Sequence, residues 1–479
     1  MTVELSSRRD ITLDALRRVA WEGEGVTIAA SALERIGASR AAFLALLDAE
    51  PEITIYGVTS GYGQMANRRL KPEERAEHAR RPPRAAATSF GETAPERVAR
   101  AIVLARLANF VDGHAAVSPA LAQAVAALLD GAPLPGVPLH GNGGAGEILP
   151  LSHLFTTLAE GFELGPKEML SLINGSPCAA ALIADAALAA RGRLKLALAV
   201  FALAAEAFKA PLEAYAPELD DLWGDEHEAW ALGGLRALMR GGARDRRPYQ
   251  APVGFRILPR ILGQARRALA EAEAAAETAL ASVTDNPVYV PPSDAYPHGR
   301  ALSNGGYHNG RATPALDGLA ASWADLCLLA ERQTTKMLDP HVSLLPEQLR
   351  VGDGYIGCLA MTQVGIVEEA RQAATRTFLP GGEGGGFGQN DVATPTFLAW
   401  IKEDRAGGLF EAALAILAAV ASQALFVTER QAPPALADLL DAVRADFPPV
   451  TGSRVLGPDI DRLAAAFSAR VSGAADANR

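Results

Sequence analysis

Apolar residues recur every three to four positions over long stretches of the chain, the period of a helix with one buried face. The stretches run over 94–131, 152–162, 166–209, 258–283, 314–338, 355–376 and 407–430. One of them, 179–209, is apolar almost all round, with Arg191, Arg193 and Lys195 interrupting it. A helix apolar all round is predicted to be buried in a bundle or a subunit interface. The segments 258–283, 314–338 and 355–376 are of similar length and are predicted to lie side by side. No strand-rich region and no 20–50-residue repeat is visible. The pattern predicts a mostly α fold with a long central helix bundle.

Glycine and proline mark the loops at 56–65, 131–151, 241–257, 284–313 and 379–395, the last containing GGEGGGFG. These irregular segments hold nearly all the chemically distinctive residues, and loops on a rigid scaffold often carry function. An N-terminal domain over 1–210 and a second over 211–479 are expected. From about 432 come proline-containing turns, an alanine-rich helix and a polar tail expected to be disordered.

The chain has 479 residues, a net charge of −10 and a sequence pI near 5.4. The basic footprint of a nucleic-acid binder is missing. Without an unbroken run of about twenty apolar residues, no membrane span is expected; without a basic start followed by an apolar stretch, no signal peptide is expected. Cys178, Cys327 and Cys358 are scattered, which fits a reducing cytoplasm better than a disulfide framework. The eight histidines include no H-x-x-x-H or H-E-x-x-H, so no catalytic metal is expected. His114 and His153 read as hydrogen-bonded core residues.

Several motifs stand in order along the chain. They are Tyr56-Gly57-Val58-Thr59-Ser60-Gly61-Tyr62-Gly63, Gly144-Ala145-Gly146 before Pro150-Leu151-Ser152-His153, Leu172-Ile173-Asn174-Gly175, Phe255-Arg256, Asp285-Asn286-Pro287, Ser303-Asn304-Gly305-Gly306-Tyr307-His308 and Phe387-Gly388-Gln389-Asn390-Asp391. Over about residues 10–430 the series resembles the aromatic amino acid lyases (histidine, phenylalanine and tyrosine ammonia-lyases). In that family an Ala-Ser-Gly triplet cyclises and loses water to give methylidene-imidazolone, an electrophile. Here the triplet is Gly144-Ala145-Gly146, and Ala145 has no hydroxyl to eliminate. The resemblance therefore implies the scaffold while the altered triplet predicts that the prosthetic group does not form, leaving no cofactor.

What the resemblance implies for the other residues is specific. Tyr56 stands at the catalytic base, which needs positive charge or hydrogen bonding to lower its pKa from about 10. Tyr307 stands where an aromatic packs beside the prosthetic group, and is also expected to be catalytic. Gly63, Asn174, Gln389 and Asn390 fall at substrate-binding positions. Arg256 falls at the anchor for the substrate carboxylate, which a guanidinium holds through two parallel hydrogen bonds. The family tyrosine three positions before that arginine is Val253 here, the nearest tyrosine being Tyr249; the family asparagine before Tyr307 is Gly306. The pair that touches the aromatic ring falls near Ala85-Ala86, which predicts a wider pocket. The Asp285-Asn286-Pro287 turn reads as structural, as do the ion pairs expected at a helix end from Glu331, Arg332 and Asp339.

The implied assembly is a cytoplasmic homotetramer with active sites built from three subunits, acting on a small carboxylate-bearing molecule. Three functions follow from the altered triplet. One is a lyase that eliminates or adds at a carbon–heteroatom bond without the electrophile. Another is a non-catalytic binding protein, or an inactive subunit beside an active paralogue. The third is an ordinary ammonia-lyase with an unusual electrophile, for which Asn142-Gly143 could cyclise to a succinimide.

Overall fold

The computed structural model describes residues 2–380 and 388–473. The chain forms two compact units, and it passes between them several times. The first comprises Met1–Asp185, Ala272–Ala315 and Thr377–Ile401; the second comprises Ala186–Glu271, Leu316–Arg376 and Lys402–Arg479.

The predicted helices are present, but two of the apolar stretches are each divided between two helices. The stretch 94–131 holds the helices Glu96–Leu107 and Pro119–Ala127. Between them Gly113 and Ala116 take positive φ, and Ser118 caps the second helix ahead of Pro119. The stretch 166–209 divides into Glu168–Ile173 and Pro177–Ala207. There Gly175, at φ +122°, breaks the helix; an added Cβ would lie 3.0 Å from the Thr284 hydroxyl. The helices Glu168–Ala207, taken as one 40-residue apolar stretch, and Thr396–Val427 are long and apolar enough to cross a membrane, contrary to the expectation from unbroken runs. Their most apolar windows are 100% and 83% buried within the chain, as in core helices of a folded bundle.

Three two-stranded sheets complete the first unit, and two of them brace loops. Phe90–Thr93 pairs antiparallel with Pro138–His140, the strand that leads into the 141–146 loop. Val288–Val290 pairs antiparallel with Arg300–Leu302, which sets Ser303 and Asn304 beside the 285–287 turn. A cluster of Phe43, Leu46, Ile55, Val58, Ala116 and Tyr289 is buried, with Phe43 edge-on to Tyr289 at 5.4 Å. Ile55 and Val58 flank Tyr56, so the tyrosine loop is pinned by its own apolar neighbours. Full burial of such side chains stabilises by about 1.5–3 kcal/mol each.

In the second unit Trp323 stacks on Phe410 at 5.5 Å and donates to Glu403. Arg193, a charged interruption of the apolar helix, pairs there with Glu403 at 2.9 Å and Glu411 at 2.8 Å. A Cβ at Gly407 would run into its guanidinium, so this glycine makes the room. The Glu331–Arg332 contact lies within the helix Ala312–Leu338 rather than at its end, whereas Asp339 caps the helix that follows.

Candidate active site

Five segments of the first unit meet around a cavity of about 100 Å³. Tyr56 comes from a loop wound tightly on itself. The Thr59 hydroxyl accepts from the Ile55 N–H at 2.7 Å and donates to the Ile53 carbonyl, while the Thr59 and Ser60 N–H groups donate to the Ile55 carbonyl. Gly57 (φ +68°) lies against Leu170, which would sit 2.6 Å from an added Cβ. The Tyr56 hydroxyl accepts a hydrogen bond from the Gly63 N–H at 3.0 Å. Burial raises the Tyr56 pKa above its ordinary 10; the Gly63 bond opposes this and the neighbouring Tyr307 and Tyr62 add to it. The lowered pKa expected of a base is therefore not found within one chain.

The altered triplet forms the next wall. The Gly144 carbonyl accepts from the Thr394 N–H at 3.1 Å, and Ala145 lines the cavity. Gly146 has φ +78° and would place a Cβ 3.2 Å from the Asn174 side-chain oxygen. Glu147 follows, itself left-handed at φ +57° and buried. Its carboxylate caps the helix Pro177–Ala207, accepting from Cys178 N–H at 2.6 Å and Ala179 N–H at 2.8 Å. Burial pushes Glu147 up to about 7, against the pull of those N–H groups and of Arg106.

Asn174 ends the helix Glu168–Ile173, and buried Arg106 donates to its carbonyl. Its side-chain oxygen is buried without a partner among the described residues. Asp285 is fully buried with Lys167 at 2.5 Å and also accepts from Ser171. Asn109 receives the N–H groups of Thr284 and Asp285. Asn286 in turn accepts from the Asn304 N–H at 2.9 Å, and Asn304 donates to the Asp285 carbonyl. This network fixes the segment that carries Tyr307.

Tyr56, Ala145, Gly146, Asn174, Tyr307, Gln389 and Asn390 thus line one cavity. Gly144 and Gly63 act on it through their main chain. Asn286, Ser303, Asn304 and Ile148 also line it, roles not assigned from sequence. Gly306, where the resemblance expects an asparagine, does not line the cavity, whereas Asn304, two residues earlier, does. Ala85 and Ala86 lie in a short 3₁₀ turn and are not among the residues that line this cavity within one chain. Asp391 is exposed and outside it; Phe387 lies outside the described residues. His114 hydrogen-bonds the Tyr289 carbonyl, and His153 is packed without a partner for its Nε2 among the described residues.

Arg256 belongs to the second unit, on the helix Val253–Arg256, where its Nε donates to the Ala251 carbonyl at 2.9 Å. It does not line the cavity. Val253 and Tyr249 are exposed. Among the described residues, no charged side chain lines the cavity, and no group of His, Cys, Asp or Glu is placed to hold a metal.

The family model for aromatic amino acid lyase matches residues 11–162 and 159–445. The chain belongs to the aromatic amino acid lyase family. It is 30% identical over 400 residues to histidine ammonia-lyase of Streptomyces avermitilis, covering 76% of each chain. It is 28% identical over 509 residues to tyrosine ammonia-lyase of Cereibacter sphaeroides, covering 95% of this chain and 96% of that one. The crystal structure of tyrosine aminomutase from Streptomyces globisporus superposes with a TM-score of 0.86 at 26% identity, covering 100% of this chain and 98% of the other. The relatives of this lyase-family chain therefore include both lyases and an aminomutase.

Proposed function

We propose that this family member catalyses elimination, or the reverse addition, at a carbon–heteroatom bond of a small carboxylate-bearing, amino acid-like substrate without methylidene-imidazolone. The observation that carries the reading is that Tyr56 and Tyr307 share a cavity with Ala145. Forming the exocyclic methylene requires a hydroxyl to leave the β-carbon of the central triplet residue, and Ala145 carries only hydrogens there. Ser303, the serine against the cavity, lies on another segment and donates to Asn286. The residues present do not fit the prosthetic group.

In this reading Tyr56 removes the β-proton and Arg256 holds the carboxylate. Among the described residues the cavity of one chain has no charged lining; in this reading the guanidinium reaches it from another subunit of a homotetramer, as the family resemblance implies. Without the electrophile a primary ammonium is a poor leaving group, and each 1.4 kcal/mol or so of lost activation costs about tenfold in rate. A substrate whose leaving group stays positively charged at every pH solves a second difficulty. Tyr56 ionises only in the alkaline range, where a primary ammonium loses its proton, whereas a quaternary ammonium cannot.

The binding-protein reading draws support from the same raised Tyr56 pKa. Against the succinimide reading, the Asn142 side chain is held at both ends, by the Ser89 hydroxyl at 2.6 Å and the Pro138 carbonyl at 2.8 Å, and does not line the cavity. The deciding experiment follows arylacrylate formation by ultraviolet absorbance, from L-histidine, L-phenylalanine and L-tyrosine and from their N,N,N-trimethyl betaines. Turnover of betaines alone, lost in Tyr56→Phe, is expected. Turnover of the free amino acids would mean that an electrophile forms after all; binding without turnover of any would favour the non-catalytic reading.

A further inference from the structure

The second unit holds a cavity of about 500 Å³ bordered by the 3₁₀ turn Leu212–Tyr215, the helix Glu226–Leu238 and the Gly241-Gly242-Ala243 turn. Arg236, Arg240 and Arg246 line it, and among the described residues no acidic one does. That is a local reversal in a chain of net charge −10.

The carboxylates nearby do not balance these cations. Arg236 is paired bidentately with Asp220. Glu206 is shared between Arg246 at 2.5 Å and Arg430 at 3.7 Å. Arg247, next to Arg246, spends its guanidinium on the Phe208 and Val342 carbonyls. Arg240 is exposed, and its side chain has no hydrogen-bond or ion-pair partner among the described residues. The Arg246 Nε is buried with no acceptor among them. The crowding is also felt at Arg430, whose pKa burial lowers, with Glu206 and Asp245 opposing and Arg246 and Arg247 lowering it further.

We propose that this cavity is a binding site for a small organic polyphosphate of about nucleotide size. Guanidinium forks match phosphate oxygens bidentately. The volume lies in the usual range of small-molecule sites, roughly 300–1,000 Å³, and exceeds what a lone phosphate fills. An added Cβ at Gly242 would run into the Glu206 carboxylate and one at Gly241 would meet Pro434, so this turn is packed on its own neighbours and the three guanidinium groups are the cavity's anion donors. The inference is independent of the chemistry proposed for the Tyr56 cavity.

Isothermal titration of the full-length protein with ADP, inorganic pyrophosphate and adenosine tests it. ADP is expected to bind one per chain, weakening with salt, and adenosine not at all. Arg240→Glu, at an exposed position, and Ala243→Glu, which sets a carboxylate in the wall, should each weaken ADP at least tenfold without changing the melting temperature appreciably. Pyrophosphate binding as tightly as ADP would support the anion site and assign it to the polyphosphate alone. The proposal is overturned by the absence of saturable ADP and pyrophosphate binding, or by binding that both variants leave unchanged.

Discussion

The Gly63 N–H donates to the Tyr56 hydroxyl across 3.0 Å, so the loop that presents the tyrosine also holds its oxygen. One main-chain donor stabilises a phenolate only in part, and burial outweighs it: the pKa of Tyr56 stands above 10. If the phenolate is the base, its fraction rises about tenfold per pH unit below that pKa. The expected kcat/KM therefore climbs with unit slope in log form through pH 7–10. A rate already flat at pH 8 in the wild type would rule out an unassisted Tyr56 phenolate.

Arg256 is expected to act on binding. Replacing it with methionine removes a charge-assisted bond to the carboxylate, worth about 1.5–3 kcal/mol, so KM should rise roughly tenfold to a hundredfold. Two buried side chains hold the turn that carries it: the Tyr215 hydroxyl donates to the Phe255 carbonyl at 2.8 Å, and the Gln333 amide to the Gly254 carbonyl at 2.9 Å. Tyr215→Phe should thus raise KM less than Arg256→Met and add little to it in the double variant. Steady-state kinetics on the four proteins decides the point: an additive Tyr215 effect would show that it does not work through Arg256.

Lys167 and Asp285 form an ion pair with both side chains completely buried. Removing one partner strands the other, at a cost of about 3–5 kcal/mol. Lys167→Met should lower the denaturation midpoint sharply, while Lys167→Met with Asp285→Leu should recover much of it. Urea unfolding measures both. A double variant no more stable than the single would show that hydrogen bonds from Ser171 and Asn286, rather than charge, dominate at Asp285.

That pair also marks how far the sequence could be read. The long helices were legible because periodicity is local. So was the convergence of Tyr56, the triplet, Asn174 and Tyr307, because the motifs stand in family order. The breaks at Gly113 and Gly175 were not, since an apolar pattern continues across them and only the tertiary positions of Ser39, Thr284 and Arg106 require glycine there. Asp285-Asn286-Pro287 read as a turn because its partner Lys167 is 118 residues away. That Asn304 lines the cavity follows from the hairpin register, which sequence spacing does not reveal. Arg193 interrupts an apolar helix, yet it is buried by carboxylates more than 200 residues distant.

Glu147 should make stability fall as pH rises. Its folded pKa of about 7 lies above the ordinary 4.5. Below the lower value both folded and unfolded states are protonated. Between 4.5 and 7 the unfolded chain gives up the proton first, so stability is lost across that window, by roughly 3 kcal/mol at most, and then levels off. Glu147→Gln keeps an acceptor for the helix N-terminus but cannot titrate. Its melting temperature should fall less than that of the wild type between pH 5 and pH 8; parallel curves would assign the loss to other groups.

Ala145→Ser supplies the hydroxyl that the resemblance expects at the centre of the triplet and that Ala145 lacks. The rest of the triplet region is already ordered: Gly144 is held by Thr394, Gly146 abuts Asn174, and Glu147 is fixed by the helix it caps. If that backbone still permits ring closure, the variant should lose water, seen as a lower intact mass, and gain arylacrylate formation from an aromatic amino acid. Ring closure without activity would place the remaining defect in the substrate contacts, with Asn390 and the Val253 position the first to restore. No loss of mass would mean that Gly144, in place of the family alanine, has also cost the loop its ring-forming geometry.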